Sequence, residues 1–256
     1  MTDAPFLPPA EESALRDRFE SVRARLEQAA CTAARKPEDI LLIAVSKTHS
    51  ANMAASLARM WPKGAPVFGE NYVQEAMDKQ TAVASLLCHQ PARDCPSPEW
   101  HFIGHLQSRK ARDVTGRFTM IHTLDSVKLA EQIRKAVQAG NLSPQAVLVQ
   151  VNIGDEAQKS GVDSGKIEDL ITAAMAMPEL SVQGLMCLPP FFDTAEESRP
   201  YFIKLRELRE ALARNTGLAL PHLSMGMSHD FEVAVAEGAT MVRVGTDIFG
   251  ARPPKI

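Results

Sequence analysis

Short runs of aliphatic and β-branched residues alternate along the chain with longer segments whose apolar positions recur at helical spacing. The strand-like runs are Ile40–Ser46, Pro66–Gly69, Trp100–Gly104, Met120–Thr123, Ala146–Ile153, Val182–Leu188, His222–Met225 and Met241–Val244. Several, Ala146–Ile153 above all, are nearly continuous in apolar residues, the pattern of strands covered on both faces. The helical segments carry readable punctuation. Ser126 is placed to cap a stripe of Leu129, Ile133 and Val137, and Gly140 stands where a left-handed C-terminal cap belongs. Tyr201, Leu205, Leu208 and Leu212 form another stripe, in which Pro200 is tolerable only in the first turn, so Ser198 is the expected cap. A last short helix is expected over Ser228–Gly238, capped by Ser228, and an extra one over Glu11–Ala30 precedes the first strand.

Strands alternating with helices imply a parallel sheet, and eight such units predict an α/β fold, a single (β/α)8 TIM barrel with an extra N-terminal helix. An open doubly wound sheet fits the same alternation but wants a glycine fingerprint after its first strand; Ala44-Val-Ser-Lys47 carries no G-x-G-x-x-G. One domain is expected over residues 1–256, with 1–38 as an N-terminal extension and helix. The proline-containing stretch 88–98 reads as a surface loop insert, too short to separate domains.

At 256 residues, 45 % hydrophobic and 23 % charged, the chain has the composition of a globular domain rather than a disordered or fibrous one. Its 28 basic and 31 acidic residues lack the basic excess that phosphate-backbone binding requires, so nucleic acid is not an expected partner. The longest apolar run, Ile40–Val45, is far short of the roughly 20 residues that span a bilayer. Met1–Glu12 has neither a basic start nor an apolar stretch, so no secretory signal is read there and the cytoplasm is the expected compartment. Cys88, His89, Cys95 and His101 cluster in sequence without a chelating pair, which argues against a metal site.

In a parallel barrel the chemistry sits at the C-terminal strand ends. Those ends carry Ser46–Thr48, Glu70–Tyr72, His105, Asp125, Asn152, Met186 and Cys187, Ser224–Ser228 and Arg243–Thr246. A partly desolvated lysine at a strand end forms a Schiff base with an aldehyde, although Lys47 alone reads more readily as a rim lysine reaching solvent. The last two units add to this. Gly226 and Gly245 free backbone N–H groups, and Ser224, Ser228 and Thr246 offer hydroxyls, so the loops after strands seven and eight predict an anion cradle where barrels commonly bind phosphate. An amine and a phosphate cradle together describe a phosphorylated aldehyde as ligand.

Ala44-Val-Ser-Lys-Thr48, Phe68-Gly-Glu-Asn-Tyr-Val-Gln-Glu75, Trp100-His-Phe-Ile-Gly104 with Leu106-Gln-Ser108, Gly184-Leu-Met186, Ser224-Met-Gly-Met-Ser228 and Val242-Arg-Val-Gly-Thr246 with Ile248-Phe-Gly-Ala-Arg252 resemble, in order, the motifs of the pyridoxal phosphate homeostasis protein family. That family is similar to the barrel domain of alanine racemase. The resemblance implies pyridoxal 5′-phosphate (PLP) held as an imine on Lys47, with Arg243 facing the pyridine nitrogen and Gly245 and Thr246 beside the phosphate. It also implies that Ser224, Gly226 and Ser228 belong to a second phosphate-binding loop and that Asn71 lies near the ring or the lysine. A cation at the pyridine nitrogen leaves that nitrogen unprotonated and the ring a weak electron sink. The racemase's opposed tyrosine has no counterpart, since Tyr72 opens the second helix and Tyr201 lies on a late outer one.

The expected role is therefore PLP buffering or delivery by a cytoplasmic monomer without strong catalysis, with PLP-dependent apo-enzymes as transient partners. The alternatives are a low-activity PLP enzyme such as an amino-acid racemase, and an aldolase whose Lys47 attacks a sugar phosphate. His105, Arg109, Asp247 and the 88–98 insert depart from the family pattern, and Asp247 either repels a phosphate or faces away from it.

Overall fold

The computed structural model describes residues 6–88, 97–154 and 160–251. Eight parallel strands, β1 (Leu41–Val45), β2 (Val67–Glu70), β3 (Glu99–Phe102), β4 (Met120–Leu124), β5 (Gln145–Val151), β6 (Leu180–Cys187), β7 (His222–Met227) and β8 (Met241–Val244), close into a barrel in sequence order. The seam pairs β1 with β8 from Leu41↔Met241 to Ala44↔Val244. Around it lie α2 (Ala51–Met60), α3 (Val73–Cys88), α4 (Ala111–Val114), α5 (Val127–Gly140), α6 (Ile167–Met175), α7 (Arg199–Thr216), α8 (Phe231–Ala236) and the single-turn α9 (Thr246–Phe249), while α1 (Pro9–Thr32) precedes the first strand. The expected TIM barrel and N-terminal helix are what the chain forms. Of the predicted insert, residues 89–96 lie outside the described residues. No helix among the described residues is long and apolar enough to cross a membrane.

The two-residue period of each strand sorts side chains to two cores. One parity, with Leu42, Ala44, Phe68, Phe102, Val242 and Val244, packs outward under the helices in the main hydrophobic cluster. The other fills the barrel with Ile43, Val67, Met120, Leu148, Met186 and Met241. That inner parity also carries His101, His122, Ser224 and Arg243, all buried, so a polar layer is stacked on the apolar plug.

Three helix ends differ from the sequence expectation. Ser126 caps α5 by accepting from Leu129 N–H, but the left-handed C-terminal residue is Asn141 (φ 48°), one past Gly140. Asparagine reaches that conformation at little cost. Before α7, a capping box of Thr194 and Glu197 starts a 3-10 turn, and Ser198, inside it, makes no side-chain cap bond. The helix expected over Ser228–Gly238, α8, begins at Phe231 rather than Ser228, because the Ser228 hydroxyl is taken up by another loop.

Candidate functional site

A cavity of about 510 Å³ opens at the C-terminal ends of the strands. It gathers Lys47 after β1, Asn71 after β2, Ser228 and His229 after β7, and Arg243, Gly245 and Thr246 from β8 and its exit. Apolar groups of Val45, Ile103, Leu188, Phe191 and Met227 complete the wall. The size and the mixture of apolar wall with a few convergent polar groups suit a small-molecule site. A groove of about 620 Å³ outside the barrel, between α1 and α8, is larger, but its charged groups Arg25, Glu196, Arg199 and Glu232 are consumed in ion pairs. It has no group poised toward a ligand comparable to the barrel mouth.

Six of the eight predicted site residues therefore share one cavity wall: Lys47, Asn71, Ser228, Arg243, Gly245 and Thr246. Lys47 and Arg243 are brought together across the β1–β8 seam, where Ile43 is the register partner of Arg243. Ser224 and Gly226 are elsewhere. Ser224 is fully buried beneath Arg243, accepting from its Nη1 at 2.6 Å. Gly226 sits in a bulge, where three steps along β7 from Ser224 to Met227 match two along β8 from Met241 to Arg243. Its φ is +89°, and a Cβ there would lie 2.6 Å from the Ala234 Cβ and 2.9 Å from the Phe231 Cα. Gly226 thus re-aims the chain so that Met227 and Ser228 reach the mouth.

The Ser228 hydroxyl accepts from the backbone N–H of Gly245 at 3.3 Å and of Asp247 at 3.5 Å, which ties the loop after β7 to the turn after β8. Asp247 turns away from the cavity and accepts from Arg25 Nη1 at 2.6 Å. Of the two possibilities for this residue, facing away is the observed one.

Arg243 is buried and its Nη2 donates to the Cys187 carbonyl at 2.9 Å. Both acceptors it meets are neutral. Burial pulls the guanidinium pKa down, yet arginine remains charged at neutral pH, so an anionic or electron-rich ligand atom is the natural complement. Behind it, Ser224 Oγ meets His122 Nδ1 at 2.9 Å and His122 Nε2 meets His101 Nδ1 at 2.9 Å. Burial drives the His101 pKa down to about 4 and holds His122 well below its ordinary value, where the neighbouring His101 and Arg243 charges add to the effect. Both rings are neutral spacers at pH 7.

Sequence reasoning missed His49, His229 and Phe191 as wall residues. His49 stacks on Phe249 at 5.2 Å, and His229 lies 5.6 Å from the ring of Phe191, which is 84 % exposed. It placed Glu70 at a strand end but missed Lys79, which pairs with it at 2.6 Å, buried beneath the Lys47 turn. A glutamate ending an apolar strand was the available signal. Asn71 Oδ1 is buried with no hydrogen-bond partner among the described residues, an acceptor awaiting a donor. An amine, a buried guanidinium whose two hydrogen-bond acceptors are neutral, an unused amide oxygen and the hydroxyls of Ser228 and Thr246 are donors and acceptors that fit PLP, although the Gly245 N–H expected to be free is taken by Ser228.

An eight-stranded parallel barrel with a lysine just past its first strand defines a class, and residues 13–253 match the family of the alanine racemase N-terminal domain. The alanine racemase of Corynebacterium glutamicum shares this fold with a TM-score of 0.66 at 22 % identity, covering 92 % of this chain and 61 % of that one. Closer relatives narrow the class. The pyridoxal phosphate homeostasis protein of Aquifex aeolicus is 42 % identical over 236 residues, 92 % of this chain and 97 % of that protein. That of Pseudomonas aeruginosa is 40 % identical over 242 residues, 94 % of this chain and 96 % of that protein. PipY of Synechococcus elongatus, solved with PLP bound, superposes with a TM-score of 0.75 at 33 % identity, covering 92 % of this chain and all of that one. The chain belongs to the pyridoxal phosphate homeostasis protein family.

Proposed function

We propose that this protein binds PLP at the barrel mouth as a Schiff base on Lys47 and serves intracellular PLP homeostasis by buffering or delivery rather than by turnover. The observation that carries the reading is the convergence of Lys47, Arg243 and the Ser228–Gly245–Thr246 cradle on one cavity. Lys47 would hold the PLP aldehyde as an imine, with water as the leaving group. Ser228, Gly245 and Thr246 receive the phosphate, Asn71 supplies an acceptor to the ring or the lysine, and Arg243 faces the pyridine nitrogen. PLP supplies electron withdrawal from a bound amino group; Arg243 limits it by keeping the ring nitrogen unprotonated. Neither tyrosine is on the cavity wall: Tyr72 is 53 % exposed and Tyr201 packs on Phe192. That arrangement supports a carrier over a racemase. In this reading the protein is a cytoplasmic monomer that meets PLP-dependent apo-enzymes only transiently.

Absorbance, borohydride reduction and peptide mass mapping test the proposal. Wild type incubated with PLP turns yellow and carries the phosphopyridoxyl mass on the Lys47 peptide, and Lys47→Ala carries none. A colourless wild type, or an adduct on another lysine in Lys47→Ala, overturns the assignment. Steady turnover of D- or L-alanine by wild type overturns the carrier role.

A further inference from the structure

Lys47 sits in the turn Ser46–Thr48, and both of its neighbours are held by one cluster of buried charge. Lys79 Nζ, on α3, donates to the Ser46 carbonyl at 2.6 Å, to Glu70 Oε1 at 2.6 Å and to Glu75 Oε1 at 2.9 Å. Glu70 Oε1 also accepts from the Ser46 hydroxyl at 2.7 Å, and Glu75 Oε1 accepts from Thr48 N–H at 2.5 Å. Thr48 has φ +66°, a left-handed conformation that a β-branched residue adopts only under constraint. Lys79 and Glu70 side chains are 4 % and 0 % exposed. Taking such a pair out of water is costly, and an apolar pair of similar volume often serves stability as well. What an apolar pair cannot supply is two directed bonds onto Ser46, together with an ammonium that holds Glu75 in place to accept from Thr48 N–H.

We infer that Lys79, with Glu70 and Glu75, is a positioning residue that fixes the turn presenting the Lys47 amine to the cavity. The inference rests on the PLP reading above. It predicts a split between two ligands that share ring and phosphate but differ in the aldehyde. PLP needs the amine in register; pyridoxine 5′-phosphate, which has an alcohol in its place, does not.

The experiment compares dissociation constants of the full-length protein for PLP, by absorbance, and for pyridoxine 5′-phosphate, by calorimetry. In Lys79→Met and in Glu75→Ala, PLP binding weakens roughly tenfold while pyridoxine 5′-phosphate stays within about twofold of wild type. Glu75→Gln, which keeps an acceptor for Thr48 N–H, restores most of the PLP affinity. Glu75 is 31 % exposed, so its variants keep the test available if Lys79→Met does not fold. Equal losses for both ligands would mean general loosening and would overturn the inference, as would unchanged PLP binding. A wild type that binds PLP no better than pyridoxine 5′-phosphate and gives no borohydride-fixed adduct would overturn the Schiff-base reading, and this inference with it.

Discussion

His101 and His122 face each other inside the barrel, and their neutrality has a cost that depends on pH. In the unfolded chain both titrate near 6.5; in the folded one His101 titrates at about 4 and His122 well below its ordinary value. Between those values the unfolded state takes up protons that the folded state refuses. Stability is therefore complete above about pH 6.5 and falls as pH drops toward 4. For His101 alone, a fall from 6.5 to about 4 corresponds to about 3 kcal/mol. Urea unfolding at pH 7 and pH 4.5 checks this: wild type loses more stability between the two than His101→Gln does, and equal losses would place the acid lability elsewhere. The strand-end rule made Lys47, Asn71, Arg243 and Thr246 legible, because parity and position together determine which side chains reach the mouth. It could not separate Ser224 from the wall, since depth along the barrel depends on strand stagger and on the bulge at Gly226. Nor does periodicity mark Lys79, whose partners on β2 and in the Lys47 turn are distant in sequence or on another element.

Among the elements, α1 does more than cover the barrel. Its Arg25 binds Asp247 at 2.6 Å and Glu232 at 2.7 Å and lies 4.7 Å from the Phe231 ring centroid, and its Arg18 donates to the Ile248 carbonyl at 2.8 Å. The helix thereby grips both segments that follow β7 and β8. Arg25→Ala leaves two carboxylates unpaired beside the loops proposed to receive the phosphate. Because the guanidinium is 40 % exposed, the loss of stability should be about 1 kcal/mol or less. The loss of affinity for a phosphorylated ligand should be larger, severalfold, and the double variant Arg25→Ala/Asp247→Ala should recover most of it by removing the repelling charge. Titration with pyridoxine 5′-phosphate reads both; a double variant as weak as the single one would show that Asp247 is not the source. All eight strands were legible from their apolar runs. Two helix starts were less so: a serine hydroxyl serves a local cap only when no distant N–H claims it, as Gly245 claims Ser228, and Thr194 capped an earlier turn before Ser198.

For the whole molecule, closure is the demanding step. Gly184 on β6 lies against β7 so closely that a Cβ there would be 2.0 Å from the His222 carbonyl oxygen. Gly184→Ala must spread that pair of strands and should destabilise the barrel by about 3 kcal/mol, measurable as a shifted urea midpoint; a midpoint unchanged from wild type would show that the β6–β7 pair tolerates the methyl group. The β1–β8 seam has a different consequence. Lys47 and Arg243 are neighbours in space and near opposite ends of the chain, so the strand that carries the lysine leaves the ribosome long before its partner exists. During synthesis Leu41–Val45 can pair only with β2, and its other edge waits. A mouth built from both Lys47 and Arg243 is complete only once β8 has been made, so the stabilisation that a ligand there confers falls on finished molecules. A chain truncated before β8 would lack both its seam and the Arg243 side of the barrel mouth, and the unpaired edge of β1 would mark it for the proteases that clear incomplete products.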